Sequence, residues 1–262
     1  MLEREIRILE DAVREAGQEI VRISRDGFET SYKGKDDPLT TADLAANSIL
    51  HEKLSESFPD YGWLSEESAE DLSRLTCKRV WVVDPIDGTR EFIRGLPEFA
   101  ISVALVEDGL PIVGVVHNPM TGEVFSVVKG HGVALNGKAI CVRERKPDRL
   151  MVLGSRSEIR RGEFKPFEQD MDVRPLGSIA YKLALVAAGQ ADATFSLSPK
   201  NEWDIAAGVL LVEEAGGWTS DKQRNPFRFN QQNTLVTGVI ATSSACRETV
   251  TGRIESHLQS SH

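Results

Sequence analysis

Leu2, Ile6, Leu9, Val13, Ala16, Ile20 and Ile23 recur at steps of three and four residues. That is one apolar stripe on a helix, so the spacing predicts that the chain begins with a long amphipathic helix. The Gly/Lys/Asp/Pro-rich stretch SYKGKDDP that follows, residues 31–38, reads as a loop. Leu44, Ile49, Leu50, Leu54 and Phe58 then mark a second helix that ends near Pro59, with Asp43 close to its N-terminal end. From Val80 the pattern turns to β: RVWVVD, FAISVALVED, PIVGVVHN and EVFSVVKG are separated by short turns such as Met120-Thr121-Gly122, which predicts an antiparallel meander. Beyond about residue 145 strand-like and helix-like stretches alternate: LMVLGS, SIAYKLALVAAG, ADATFSL, DIAAGVLLVEEAGG, LVTGVIAT and a final helix from Ser243. The second half therefore reads as an α/β unit. The expected division is an N-terminal half, 1–148, with the antiparallel sheet, and a C-terminal half, 149–262. No repeat or low-complexity linker separates them, so a boundary near residues 145 to 150 is expected to be packed.

Composition narrows this picture. At 262 residues, with 40% hydrophobic and 27% charged residues, the chain is long enough to bury a full core. The formal net charge of -9 argues against binding a nucleic acid polymer. Cys77, Cys141 and Cys246 have neither paired nor metal-type spacing, which fits a reducing cytoplasm better than a disulfide framework. The charged N-terminus does not read as a signal peptide, and no apolar run approaches the ~20 residues of a membrane span. A cytoplasmic protein with no membrane partner is expected.

The candidate chemistry lies in carboxylates. Asp84 follows four strand-forming residues, and Pro85 both stops the ladder and biases its predecessor toward an extended conformation. Asp84 is therefore expected to project from a strand end. Asp87, Gly88 and Thr89 read as the turn into a short helix, whose free N–H groups would favour an anion beside a cation held by the acids. An Asp-x-x-Asp at a strand end also serves as a plain helix cap, and Glu66 or Asp204 taken singly could be a loop acid or an N-cap. His51, His117, His131, His257 and His262 show no ligand spacing and read as surface or core residues.

Taken together in order, "TTAD" ending at Asp43, "SEES" with Glu66, "DPIDGT" from Asp84 to Thr89, "GSIAYKLALVAAGQADA" from Gly177, and "WDIAAG" followed by "EEAGG" resemble the inositol monophosphatase superfamily of Mg²⁺-dependent, lithium-sensitive phosphatases. The resemblance covers nearly the whole chain. It implies a layered α/β/α/β/α sandwich of the inositol monophosphatase/fructose-1,6-bisphosphatase type, a homodimer, and a small phosphorylated metabolite as substrate. It makes Glu66, Asp84 and the Ile86 carbonyl ligands of one Mg²⁺, with Asp84, Asp87 and Asp204 holding a second and a third, weaker ion near Glu66. Asp43 and Thr89 would orient the attacking water, with Glu66 completing the catalytic set, while the Gly88 and Thr89 N–H groups hold the phosphate. Asp87, Arg90, Gly177, Ser178, Ser196 and Lys200 complete the expected substrate contacts. No member of this set is missing, which disfavours a metal- and phosphate-binding module without turnover.

The substrate divides the resemblance. In inositol monophosphatases the segment equivalent to "ADATFS" ends in an acidic residue that contacts ring hydroxyls, where this chain has Ser196. "GTREF" is similar to the Gly-Thr-Lys-Glu-Phe pattern of bacterial 3'-phosphoadenosine 5'-phosphate phosphatases, with Arg90 in place of lysine. The bisphosphate nucleotide is therefore the favoured substrate, and inositol phosphate or a related sugar phosphate is the alternative.

Overall fold

A computed structural model describes residues 2–34, 37–144 and 147–260. The chain opens with α1 (Glu3–Asp26), β1 (Thr30–Gly34), β2 (Asp37–Thr40), α2 (Thr41–Ser57), β3 (Gly62–Ser65), β4 (Arg79–Asp87) and α3 (Thr89–Ile93). The meander follows as β5 (Ala100–Glu107), β6 (Leu110–Asn118), β7 (Glu123–Val128), β8 (Val133–Leu135) and β9 (Lys138–Ile140). Next come β10 (Leu150–Gly154), α4 (Arg156–Arg160), β11 (Met171–Pro175), α5 (Ile179–Ala187), β12 (Ala193–Ser196) and β13 (Lys200–Asn201). The last elements are α6 (Glu202–Glu214), β14 (Gly217–Ser220), β15 (Leu235–Val236), β16 (Val239–Ser243) and α7 (Arg247–Ser260).

These elements stack in five layers, α/β/α/β/α. A seven-stranded sheet runs in chain order from β3 to β9, antiparallel except for the parallel β3/β4 edge. A five-stranded sheet has the order β11-β10-β12-β16-β14. The side-chain period of a strand explains how one sheet serves two layers. On β4, Trp81 and Val83 face the apolar stripe of α1 and α2. Val80 and Val82, on the opposite face, join α5 and α6. On β16, Val239 and Ala241 meet that same central helical layer, while Ile240 turns to α7. The central cluster thus takes residues from both sides of position 148, from Leu64 and Val116 to Leu183 and Val209. Of the stretch at 145 to 150, residues 145 and 146 lie outside the described residues.

Three sequence expectations change. Most of the predicted loop at 31–38 is a hairpin, with Ser31 opposite Leu39 and Tyr32 opposite Pro38, residues 35 and 36 lying outside the described residues. Every residue of β1 is exposed, so no apolar alternation betrays it. On α2 the buried face is Ala42, Ala46, Leu50 and Leu54, whereas Leu44 is 49% exposed. The small alanines sit where α2 lies against α1, a role that hydrophobicity alone does not reveal. The strand LVTGVIAT is two: β15 pairs with β13 and β16 with β12 and β14, parted at Gly238, whose φ of +106 a residue with a side chain rarely adopts.

Candidate active site

β4 carries both members of the Asp-x-x-Asp motif, and its pairing with β5 explains how they come together. Residues three apart on a regular strand face opposite ways. Here Asp84 lies opposite Ser102 and Asp87 opposite Ala100, so the register shifts by one residue between them and both carboxylates join one acid cluster. Pro85, which has no N–H to offer the ladder, sits inside the irregularity. The Ile86 N–H donates to Asp84 Oδ1 at 3.0 Å. Asp87 Oδ2 accepts from the Ser178 hydroxyl and the Ala180 N–H, both at 2.6 Å. At Gly88 the chain turns with φ +102, and a Cβ there would come within 3.0 Å of the Glu98 carbonyl oxygen. Only glycine fits that turn into α3.

The other acids arrive by a shared device. Asp43 is the third residue of α2, and its Oδ2 accepts from the Thr40 N–H at 2.8 Å and the Thr40 hydroxyl at 2.5 Å. Its Oδ1 accepts from the Thr89 hydroxyl at 3.1 Å, a group also 3.1 Å from the Ile86 carbonyl oxygen. Asp204 is the third residue of α6, and its Oδ2 accepts from the Asn201 N–H at 2.9 Å. Each of these acids caps a helix with one oxygen. Glu66 follows β3, whose parallel pairing with β4 sets it beside Asp84.

Ligand atoms of Glu66, Asp84 and Asp204 lie within 4.8 Å of one another. Burial pushes Asp84 well above the ordinary carboxylate range, and the neighbouring charges of Glu66, Asp87 and Asp204 push it further. Burial and then Asp87 and Glu66 do the same to Asp204. Burial also raises Asp87, against its hydrogen bonds from Ser178 and Ala180, and Asp43, against those from Thr40. Acids crowded in this way repel one another unless protons or cations neutralise them. Hard carboxylate oxygens, together with the nearby Ile86 carbonyl, are a donor set that suits Mg²⁺.

A cavity of about 290 Å³ opens over this cluster and includes Glu66, Ile86, Asp87, Gly88, Thr89 and Asp204 in its wall. Arg90, Gly177, Ser178 and Lys200 line it as well. The polar groups of Ser178 and Gly177 already have protein partners: the hydroxyl donates to Asp87, and the Gly177 N–H donates to Glu98 Oε2 at 2.9 Å. Ser196 is not part of the wall. It is 2% exposed, and its hydroxyl donates to Glu158 Oε1, so this residue acts behind the cavity rather than in it. The reason is that β12 ends beneath α4, which interposes the Glu158 carboxylate.

Sequence reasoning missed Glu158, Lys182 and Lys33. Lys182 is a lone cation in an otherwise apolar helix, four residues after Ser178, and that isolation was the available signal. Nothing in GSRSEIRR singled out Glu158. Lys33, inside the misread hairpin, reaches Glu66 at 2.7 Å and Glu67 at 2.8 Å. Of the described histidines none lines the cavity. His117, on β6, is buried against Gly17 of α1, with Nδ1 2.9 Å from the Glu123 carbonyl oxygen, and His51 makes a T-shaped contact with Trp63. His262 lies outside the described residues.

The profile of the inositol monophosphatase family matches residues 1–259. The chain is 35% identical over 229 residues to an inositol-1-monophosphatase from Rhizobium meliloti, covering 83% of this chain and 85% of that one. It is 36% identical over 221 residues to the Nus factor SuhB of Escherichia coli, covering 80% and 82%. Among solved structures, an inositol monophosphatase from Thermotoga maritima superposes with a TM-score of 0.86 at 28% identity, covering 99% of both chains.

Proposed function

The chain belongs to the inositol monophosphatase family, and on that premise we propose that it is a Mg²⁺-dependent phosphomonoesterase acting on a small phosphorylated metabolite. The observation that carries this reading is the convergence of Glu66, Asp84 and Asp204 beside the hydrogen-bonded Asp43–Thr89 pair. Glu66, Asp84, the Ile86 carbonyl, Asp87 and Asp204 would hold the ions. Bound there, Mg²⁺ supplies charge that polarises a phosphate and acidifies a water. Asp43 accepts the Thr89 proton in a hydrogen bond, which leaves the Thr89 oxygen lone pairs to receive and orient the attacking water. The Gly88 and Thr89 N–H groups, at the start of α3, face the phosphate oxygens. The ester oxygen leaves as an alcohol and the water becomes part of inorganic phosphate.

For the leaving group we favour an alcohol that carries a second phosphate, with adenosine 3',5'-bisphosphate converted to AMP. The support is the number of cationic side chains in the cavity wall, to which Arg90, Arg94, Arg156, Arg160, Lys182 and Lys200 contribute. An inositol phosphate is the second reading, favoured by the name of the Rhizobium meliloti relative. Both are tested by phosphate release from adenosine 3',5'-bisphosphate and inositol 1-phosphate in one Mg²⁺ buffer. A higher kcat/KM for the bisphosphate is expected, and the reverse order replaces it with the polyol. Li⁺ titrated at fixed Mg²⁺ and matched ionic strength should inhibit in an uncompetitive or mixed manner. Rates indifferent to Li⁺ would count against the proposed ion sites.

A further inference from the structure

Glu158, on α4, is 2% exposed yet belongs to the cavity wall. Its Oε1 accepts from the Ser196 hydroxyl and from Lys200 Nζ at 3.3 Å, whereas its Oε2 is sealed from solvent and has no hydrogen-bond partner. A carboxylate so enclosed is costly unless opposite charge lies close by. Lys200 provides one such charge through its ion pair. Lys182, itself 2% exposed and donating to the Leu176 carbonyl oxygen at 3.2 Å, provides the second through its attraction to Glu158. Both lysines also face Asp87, and Lys200 faces Asp204. Three different elements thus build a charged wall, Lys182–Glu158–Lys200, across from the acid cluster. Because both Glu158 oxygens are covered, the carboxylate cannot itself receive a substrate hydroxyl.

We propose that Glu158 is a positioning residue that holds the Lys182 and Lys200 ammonium groups at the cavity wall, where Lys200 receives a second anionic group of the leaving alcohol and the buried charge of Lys182 favours it. The inference rests on the phosphomonoesterase reading and deepens it by naming the residue that sets the charge of the accepted substrate. Burial pulls Lys182 down to about 8, while Asp87, Glu158 and Glu91 favour its charged form and Lys200 opposes it. Without the Glu158 charge, Lys182 gives up its proton at lower pH and Lys200 loses its anchor. Both changes weaken the hold on an anion, and they do so more as pH rises.

The test compares wild type, Glu158→Gln, Lys200→Met and the double variant on adenosine 3',5'-bisphosphate and on p-nitrophenyl phosphate, which lacks a second anion, from about pH 6.5 to about pH 9. Glu158→Gln should raise KM for the bisphosphate about tenfold more than for p-nitrophenyl phosphate, the scale of one charge-assisted contact. The change should lie in KM rather than kcat, and the rise of KM with pH should begin earlier than in wild type. Lys200→Met should show the same substrate selectivity, and the double variant should fall short of the sum of the two. Melting temperatures identify a variant that has not folded, in which case Lys200→Met alone must show the selective KM rise. Equal losses on both substrates, an unshifted pH profile, or fully additive effects overturn the role of Glu158. A wild type that releases phosphate from neither ester overturns the phosphomonoesterase reading itself.

Discussion

Asp43 and Asp204 cap helices and at the same time lie near Asp84, so a capping role leaves room for the proposed chemical one. One carboxylate oxygen fixes the helix start and the other is left for the site. Asp87 is held differently, by Ser178 and Ala180, and that arrangement separates folding from catalysis. An asparagine there keeps an oxygen acceptor for both donors but loses the charge. Asp87→Asn should therefore keep a melting temperature within a few degrees of wild type while kcat falls by about 10² or more. Near-normal turnover in the folded variant would remove Asp87 from the mechanism. Thr89→Val removes the hydroxyl that links Asp43 to the expected water position, and kcat should drop by about 10²–10⁴, the usual range for positioned proton transfer. Thr89→Ser should recover most of it, which a purely steric role for the side chain would not predict.

At the scale of elements, the site depends on how helices begin. The start of α2 is built by Thr40, whose hydroxyl accepts from the Ala42 N–H at 3.2 Å and donates to Asp43. Thr40→Ala should destabilise the protein by about 1 kcal/mol, as loss of an N-cap does. It should also lower kcat, because Asp43 keeps only its backbone donor at that end. Urea melts and steady-state rates measured on the same preparation check both halves, and a stability loss with unchanged kcat would separate the cap from the chemistry. The hairpin of β1 and β2 matters in the same way, since it carries Lys33 over Glu66 and Glu67. Its first strand, β1, is exposed along its whole length and so resembles a loop in sequence.

At the scale of the whole molecule, two sheets and three helical layers concentrate acids in one place, and this couples stability to pH and to cations. Asp84 and Asp204 have higher pKa values folded than unfolded, so the folded protein holds extra protons between the ordinary carboxylate value and the raised one. Their contribution to stability is therefore present at low pH and is lost as pH rises through that window. A cation that binds only the native cluster replaces those protons. Millimolar Mg²⁺ should raise the melting temperature, and by more at about pH 8 than at about pH 5. Equal shifts at both values would mean that the cation binds away from the raised carboxylates. The sequence alone determined the elements with strong periodicity, such as α1, the meander and α5, and the acids whose local motifs are contiguous, because apolar period and capping chemistry are written within a few residues. Only the tertiary structure decided that Glu158, from α4, stands between Ser196 and the cavity, that Lys33 closes on Glu66, and that a one-residue register shift turns Asp84 and Asp87 to one side. Those facts depend on which strands pair and which layers meet, and the long-range packing that settles this leaves no mark at any single position.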